Sequence, residues 1–470
     1  MEGGENSKTE NPNWEIELRK YENVIASGTN SMKIKAIVML ANHSKQVPQH
    51  VLSTTIPFLI QILDHGSNTE NDSPPSLLQE AAAYCLKCIA CRGDGTMAVE
   101  MGRVGVTHSL IRLLPRADGK MRKVLIKCLL VVVSFCNTSR TYVAANGGLE
   151  IIISLLNTCS SDVRLYLLEI LSVLALRREV RKELVRLGAL RFIVEAAGVG
   201  SMVSRERACQ SIGLIGVTRQ ARHTLVELGV IPVLVELFRV GDNGVKLVAG
   251  NSLGVMSAHV DYIRPVGEAG AIPLYAELLQ GRDASGKEIA EDVFCILGVA
   301  EANAVEIVGH LVRILRESDD EAKAAAADVI WDLSGYKHAI SVIRDSGAIS
   351  ILVELMGHGS EEIKLNVSGA FAQLSYDEAG RTALADAGAI PILIDLLLNE
   401  TEELRDNVVE TLSNFHEDPL YCDRVSDIVN VPSFRNLQNR LISIRTSNEH
   451  MTRSLRRTSV EQLIWNPDHV

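Results

Sequence analysis

Apolar residues recur along the chain with the spacing of short amphipathic helices. A first helix is predicted over residues 220–228, and Gly229 ends it because glycine adopts a positive φ at little cost. The next apolar stripe has the i, i+1, i+4, i+5 spacing of a second helix and consists of Val233, Leu234, Leu237 and Phe238. The polar run 241–244 breaks that helix, and a third helix is predicted over residues 245–257.

The glycine corner between the first and second helices recurs at a nearly constant interval. It is found at Gly105, Gly147, Gly188, Gly229, Gly270, Gly347 and Gly388. The steps from 147 to 188, 188 to 229, 229 to 270 and 347 to 388 are each 41 residues. The wider step from 270 to 347 holds two units, because the apolar pattern of a second helix follows Glu306. Such a period is typical of an α-solenoid, in which each unit buries its apolar faces against its neighbours.

These units define the predicted domain organisation. Residues 54–441 are expected to form the solenoid, with about nine units and a polar surface insertion at 67–76. Residues 14–53 are predicted to form a capping helix and an incomplete first unit, since terminal units need a polar cap. Residues 1–13 are predicted to be disordered, and residues 442–470 are predicted to form a basic, flexible tail.

One complete unit resembles the armadillo repeat. Residues 388–397 read Gly-Ala-Ile-Pro-Ile-Leu-Ile-Asp-Leu-Leu, and residues 408–414 read Val-Val-Glu-Thr-Leu-Ser-Asn. The resemblance covers about residues 31–440 and is similar in style to the armadillo arrays attached to plant U-box ligases. It implies an all-α, right-handed α-solenoid of about nine armadillo repeats, each with three helices in ~41 residues. It also implies that the third helices form the wall that contacts partners.

Composition and charge narrow the class of function. With 47% hydrophobic but only 4% aromatic residues, the core must be aliphatic, and 22% charged residues exclude a disordered chain. A net charge of −11 disfavours nucleic acid as a partner, because phosphates bind basic surfaces. No apolar run approaches the ~20 residues that span a membrane. Nine cysteines, mostly within apolar stretches, suit the reduced thiols of a cytoplasmic and/or nuclear protein.

The sequence offers no catalytic, cofactor-binding or metal-binding set. It lacks a Gly-x-x-x-x-Gly-Lys-Ser/Thr loop, a His-Glu-x-x-His helix and a Gly-x-Ser-x-Gly turn, and its 12 histidines are scattered. Cys85, Cys88 and Cys91 have the spacing of a metal site, but no second cysteine pair or histidine completes four ligands. We interpret these three residues as buried structural cysteines. An enzyme is therefore the weakest functional alternative.

A nuclear transport receptor of the importin-α type is a second alternative, which the third helices disfavour. In that family, each third helix carries a tryptophan and, four residues later, an asparagine, which together clamp an extended basic peptide. The column that corresponds to the tryptophan reads Val38, Tyr84, Cys128, Glu169, Gln210, Asn251, Asp292, Asp328, Gly369 and Glu410. The column that corresponds to the asparagine reads Asn42, Cys88, Val132, Val173, Leu214, Val255, Ile296, Asp332, Gln373 and Asn414. Valine and leucine side chains cannot hydrogen-bond a partner's backbone, so the clamp is missing from the central units.

Most polar members of these two columns form the candidate partner groove. They are Glu169, Gln210, Asn251, Asp292, Asp328, Asp332, Gln373, Glu410 and Asn414. The second column is apolar from Cys88 to Ile296, which suits a partner segment with apolar anchors and Lys or Arg flanks. The alternative is that these residues form only the solvated face of each third helix.

The C-terminal segment carries a charge opposite to that of the last units. Residues 391–430 hold ten acidic residues against two arginines, whereas residues 431–457 hold six arginines against one glutamate. Ser459 follows two arginines and a threonine and precedes a valine, a pattern typical of basophilic kinase substrates. We hypothesise that the basic segment folds onto the acidic units and that phosphorylation of Ser459 releases it.

The predicted function is that of a noncatalytic scaffold or adaptor that binds partner proteins along the solenoid. The resemblance suggests a role in signalling, ubiquitin-related or transcriptional regulation in a plant cell. The segment ahead of the array is too short for a U-box, so ubiquitin ligase activity itself is not expected.

Overall fold

The computed structural model describes residues 13–64, 76–92, 94–159, 161–397, 401–432 and 434–440. Every regular element in these ranges is a helix. The chain forms two compact units, Met1–Ser211 (unit 1) and Ile212–Val470 (unit 2). The predicted N-terminal segment, nearly all of the insertion at 67–76 and the tail lie outside the described residues, so those assignments stay predictions.

Unit 1 begins with two helices, which four helical repeats follow. Its helices are α1 (Trp14–Ser27), α2 (Asn30–His43), α3 (Gln49–Asp64), α4 (Leu77–Ala90), α5 (Thr96–Val104), α6 (Val106–Leu113), α7 (Gly119–Phe135), α8 (Asn137–Ala145), α9 (Gly148–Thr158), α10 (Ser161–Leu174), α11 (Arg178–Arg186), α12 (Leu190–Gly198) and α13 (Met202–Gly216), the last of which continues into unit 2.

Unit 2 continues the same order of helices. They are α14 (Arg219–Glu227), α15 (Val230–Val240), α16 (Asn243–Ser257), α17 (Val260–Glu268), α18 (Ile272–Leu279), α19 (Ala284–Leu297), α20 (Glu301–Glu317), α21 (Asp320–Leu333), α22 (Lys337–Asp345), α23 (Ala348–His358), α24 (Glu361–Leu374), α25 (Glu378–Asp386), α26 (Ala389–Leu396), α27 (Glu402–Glu417) and α28 (Cys422–Val429). A last helical stretch covers residues 434–440.

The third helices are the elements that position the candidate site. In unit 1, α4 packs against α7 and α7 against α10. In unit 2, α16 packs against α19, α19 against α21, α21 against α24 and α24 against α27. Side chains that lie one repeat apart in the sequence are therefore brought next to each other on consecutive third helices. The core between them is aliphatic, as the low aromatic content predicts.

Glycine decides whether the first and second helices of a repeat are separate. All seven corner glycines have positive φ, from 62° at Gly188 to 95° at Gly105. Where Glu306 takes the place of the glycine, α20 runs without a break from Glu301 to Glu317. The first repeat also lacks the glycine, and α3 is likewise continuous. These two repeats differ from the predicted three-helix pattern because a residue with a Cβ atom disfavours the left-handed corner.

Gly388→Ala is expected to lower the free energy of unfolding by about 1–2 kcal/mol, because its φ is 86° and no neighbouring atom restricts the space. The matched control is Gly309→Ala in the middle of α20, where the added Cβ also meets no atom within 4 Å. The control should stabilise the protein by about 0.5–1 kcal/mol, because alanine favours helix. Urea denaturation measures both, and effects of the same sign would contradict the backbone explanation.

Arginine side chains close the ends of several third helices. Arg140, Arg181, Arg222 and Arg381 each lie fourth in a first helix, and each guanidinium donates to the last carbonyls of the preceding third helix. Arg222, for example, donates to the carbonyls of Gly216 and Val217 at 2.9 and 3.2 Å. Those carbonyls have no partner within their own helix, so the arginines satisfy helix ends that lie against the next repeat.

Within the described ranges, no single helix is both long and apolar enough to cross a membrane. Helices α7 and α8 are long and apolar enough only when they are taken together, and the chain bends by 119° between them.

Candidate functional site

All nine candidate groove residues are half-buried on third helices. Glu169 and Gln210 belong to unit 1, and the other seven belong to unit 2. Half-buried polar side chains differ from a freely solvated helix face, because neighbouring helices restrict the water around them. Both interpretations of these residues, a partner groove and a solvated helix face, stay predictions.

An acidic cluster lies where α19 packs against α21. It consists of Glu288, Glu291, Asp292, Asp328 and Asp332. Burial, followed by the negative charges of Asp328 and Asp292, raises the pKa of Glu291 to about 7. Burial, followed by the charge of Asp332, also raises the pKa of Asp292. Neighbouring carboxylates therefore oppose the ionisation of Glu291 and Asp292.

Sequence reasoning identified Asp292, Asp328 and Asp332 but missed two members of the acidic cluster. Glu288 and Glu291 lie four and one residues before Asp292, so they share its helix face. That i, i+3, i+4 pattern was a readable signal. The cluster has hydrogen-bonding neighbours, since the Cys295 thiol donates to Asp332 Oδ2 at 3.1 Å.

A tryptophan lies on the same face, directly before Asp332 and outside the column that corresponds to the importin tryptophans. Trp331 on α21 is half-buried and packs against Gly369 of α24. A Cβ atom added at Gly369 would lie 2.2 Å from the indole Cε2, so only glycine admits this contact. Asp328 lies three residues before Trp331 on a neighbouring part of the helix surface. An aromatic surface is thereby placed beside the acidic cluster.

In the last two repeats, polar side chains form hydrogen bonds between α27 and the end of α24. Asn414 Nδ2 donates to the Ser375 hydroxyl at 2.8 Å, and Tyr376 donates its hydroxyl to the Glu410 carboxylate. Gln373 lies half-buried on α24. The Asn414 side chain therefore serves a contact between α27 and the end of α24, which reduces what it can offer to a partner's backbone.

The predicted apolar row beside the groove is largely buried. Val132, Val173 and Val255 are at most 5% exposed, because they pack between neighbouring helices. Leu214 and Ile296 remain half-buried and are the described apolar members with accessible surface. The expectation of a continuous apolar strip is therefore wrong, and any apolar anchor would have to contact Leu214 or Ile296.

The three cysteines at 85, 88 and 91 do not share one environment. Cys85 is fully buried, Cys88 is half-buried and Cys91 is exposed. The interpretation as buried structural cysteines is therefore correct for Cys85 and wrong for Cys91, which lies at the end of α4. Among the described residues, no group of three Cys, His, Asp or Glu side chains has an arrangement that would hold a metal ion.

The C-terminal segment contacts α27 at its last described residue. Arg440 donates to Asp406 Oδ1 at 2.5 Å and also to the Glu402 carboxylate. Both acids lie in the first half of α27. The basic segment thus begins against acidic residues of unit 2, whereas Ser459 lies outside the described residues.

Comparison with known proteins agrees with this geometry. The family profile described as Armadillo/beta-catenin-like repeat matches residues 337–376 and 377–415. No curated protein sequence matches the chain. An engineered protein of the Northeast Structural Genomics Consortium is similar over 85% of this chain and 98% of its own, with 22% identity and a TM-score of 0.59.

Two smaller solved structures also show similarity. A designed armadillo repeat protein and one of the computationally designed armadillo repeat proteins for modular peptide recognition each match 48% of this chain and 99% of their own, at 22% identity. Their TM-scores are 0.39 and 0.40.

The fold is that of an α-solenoid built from helical repeats whose third helices carry the polar face described above. The two profile matches coincide with the repeats that begin at α22 and α25. Residues 337–415 therefore hold two armadillo-type repeats.

Glu291→Gln is expected to stabilise the protein at pH 8 and to change its stability little at pH 4. The pKa of Glu291 rises from 4.5 to about 7 on folding. Its protonated form therefore stabilises the fold fully below pH 4.5, and this contribution is lost as pH rises through 7. Glutamine stays neutral, so thermal unfolding should show a gain of about 2–4 °C at pH 8. Glu354→Gln on α23 is the control, and an equal gain at both pH values would contradict the assignment.

Proposed function

We propose that this chain is a noncatalytic scaffold that binds protein segments on the third-helix face of unit 2. The observation that carries the proposal is the acidic cluster between α19 and α21. Glu291 and Asp292 are half-buried, and neighbouring carboxylates raise the pKa of both, so a cationic partner would relieve an unfavourable concentration of negative charge. If these residues served only to pack α19 against α21, uncharged side chains would stabilise that contact better.

The chemistry of this face favours a segment rich in lysine or arginine. Trp331 follows Asp328 by three residues on α21, and arginine binds both aromatic faces and carboxylates. Ile296, half-buried on α19, offers one apolar contact beside the cluster. Glu291 would be ionised more fully above pH 7, so binding of a basic segment should tighten as pH rises from 6 to 8.

The experiment is a fluorescence anisotropy titration of the full chain with a labelled arginine–alanine peptide. The control peptide has glutamine in place of every arginine. The arginine peptide should bind more tightly, lose affinity with added salt and bind better at pH 8 than at pH 6. Equal affinities for the two peptides would sink the proposal.

The importin-type alternative receives less support. Its mechanism needs side-chain amides that are available along the third helices, and the Asn414 amide already donates to Ser375. A setting in signalling, ubiquitin-related or transcriptional regulation, in the cytoplasm or nucleus, is what the sequence resemblance suggests for the scaffold.

We extend the proposal to the basic tail, which would compete with a partner for the acidic face. Arg440, two residues before the tail, is already paired with Glu402 and Asp406, and the tail carries four arginines as far as residue 457. Phosphorylation of Ser459 would add negative charge to this segment and weaken the competition.

Deleting residues 442–470 is expected to raise the affinity for the arginine peptide several-fold, because an intramolecular competitor is removed. Ser459→Glu in the full chain should move the affinity part of the way in the same direction. Anisotropy titration measures both, and Ser459→Ala, which adds no charge, is the control. Unchanged affinity and salt dependence after the deletion would show that the tail does not compete.

A further inference from the structure

A cationic cavity opens between α2 and α4 in unit 1, away from the acidic cluster. Its volume is about 640 Å³, and its lining includes Lys45, Lys87, Arg92 and Asn42 together with the thiols of Cys88 and Cys91. No carboxylate belongs to the lining. Because α2 and α4 are both third helices of their units, the cavity lies on the same kind of face that carries the acidic cluster in unit 2.

The positive charges of the cavity are not neutralised by described carboxylates. Arg92 uses its guanidinium on two backbone carbonyls, those of Val47 and Lys45, and no ion pair with a described acid involves Lys45, Lys87 or Arg92. Carbonyl contacts leave the charge of Arg92 intact. Three cations therefore face one opening, and no described carboxylate lies between them.

Two of the cations are held in place before any ligand arrives. The contacts of Arg92 fix the end of α4 to the loop that follows α2. Lys87 Nζ lies 5.5 Å from the centroid of the Tyr84 ring, a distance at which a cation is attracted to an aromatic face. A site whose donors are positioned in advance loses less entropy when an anion binds.

The helix dipole does not account for this arrangement. A cation near the C-terminal end of a helix stabilises that helix, which explains Lys87 at the end of α4 and Lys45 just after α2 taken one at a time. It does not explain why three cations surround one cavity that no carboxylate shares.

We propose that the cavity binds a phosphorylated side chain of a partner segment, with Lys45, Lys87 and Arg92 as the phosphate-binding residues. A phosphate monoester carries close to two negative charges and three acceptor oxygens, which match three cations better than a single carboxylate does. The amide of Asn42 supplies a further donor. The remaining volume accommodates residues on either side of the phosphate. This site is separate from the acidic face of unit 2, and the inference goes beyond the proposed function.

The test is an anisotropy titration of the full chain with a labelled Gly-Ser-Ala peptide that contains one phosphothreonine. The unphosphorylated peptide, inorganic phosphate and vesicles with an anionic phosphoinositide are the comparison ligands. The phosphopeptide should bind at least about tenfold more tightly than its unphosphorylated form. Lys45→Gln and Lys87→Gln should each weaken it by about tenfold, whereas Lys35→Gln, exposed on α2, should leave it unchanged.

A second readout uses the thiol at the mouth of the cavity. Cys91 should react faster with anionic iodoacetate, relative to neutral iodoacetamide, in the wild-type chain than in Lys87→Gln, because the cations attract the anionic reagent. Bound phosphopeptide should protect Cys91 from both reagents. Mass spectrometry of the alkylated chain identifies the site, and Cys91→Ser removes the signal.

Several results would overturn the inference. They are equal binding of the two peptides, no effect of either lysine substitution, complete competition by equimolar inorganic phosphate, or binding of the vesicles in place of the peptide. An Asp292→Asn, Asp328→Asn chain should retain phosphopeptide binding. That variant separates failure of this site from failure of the proposed function in unit 2.

Discussion

Replacing Asp292 and Asp328 together by asparagine is expected to weaken binding of the arginine peptide by about 100-fold, roughly tenfold for each charge removed. Asparagine has nearly the volume of aspartate, so the contact between α19 and α21 should survive. The fold should even become slightly more stable above pH 7, because Glu291 would lose the two negative neighbours that raise its pKa. Anisotropy titration measures the affinity, and thermal unfolding checks the fold.

The control for this experiment removes the same number of charges elsewhere. Glu354 on α23 and Asp386 at the end of α25 are exposed, and neither is part of the acidic cluster. Their replacement by glutamine and asparagine should change the affinity less than about threefold, through long-range electrostatics alone. Equal losses in the two double variants would mean that net charge, rather than the acidic cluster, attracts the peptide.

Arg222→Ala is expected to lower the free energy of unfolding by about 2–4 kcal/mol. Arg222 is only 8% exposed, and its guanidinium satisfies the Gly216 and Val217 carbonyls at the end of a third helix. Alanine would leave both carbonyls without this donor in a place that water reaches poorly. Urea denaturation followed by circular dichroism measures the change.

Two further variants test whether the hydrogen bonds of Arg222 account for the expected loss of stability. Arg219→Ala changes an exposed arginine of the same helix and should have an effect within about 0.5 kcal/mol of zero. Arg222→Lys keeps the charge but has a single donor group, so it should recover only part of the loss. Full recovery by lysine would show that charge alone matters at this position.

The repeat architecture was readable from the sequence because it rests on local rules. A glycine that favours a left-handed φ and an apolar stripe with helical spacing both act within a few residues. The pattern therefore predicted the corner at Gly229 and the third helix that the structure places at Asn243–Ser257. The same rule explains the exception at Glu306, where the missing glycine merges two helices into α20.

The candidate site was readable only in part. The 41-residue register found Asp292, Asp328 and Asp332, because that register aligns equivalent positions of successive third helices. It did not find Glu291, whose importance arises from burial and from two neighbouring carboxylates. The register did not single out Trp331 either, because it aligns sequence positions and does not show where a long side chain packs.

By itself, the sequence determined the class of helix, the repeat period and the places where helices end, since these depend on backbone preferences and on apolar spacing along one chain. The tertiary structure decided which polar residues are neighbours and how much water reaches them. It buried Val132 and Val173, brought the carboxylates of α19 and α21 together, and left the cations of Lys45, Lys87 and Arg92 around one cavity. Electrostatic and packing energies depend on distances between helices that are far apart in sequence, and those distances exist only once the repeats have stacked.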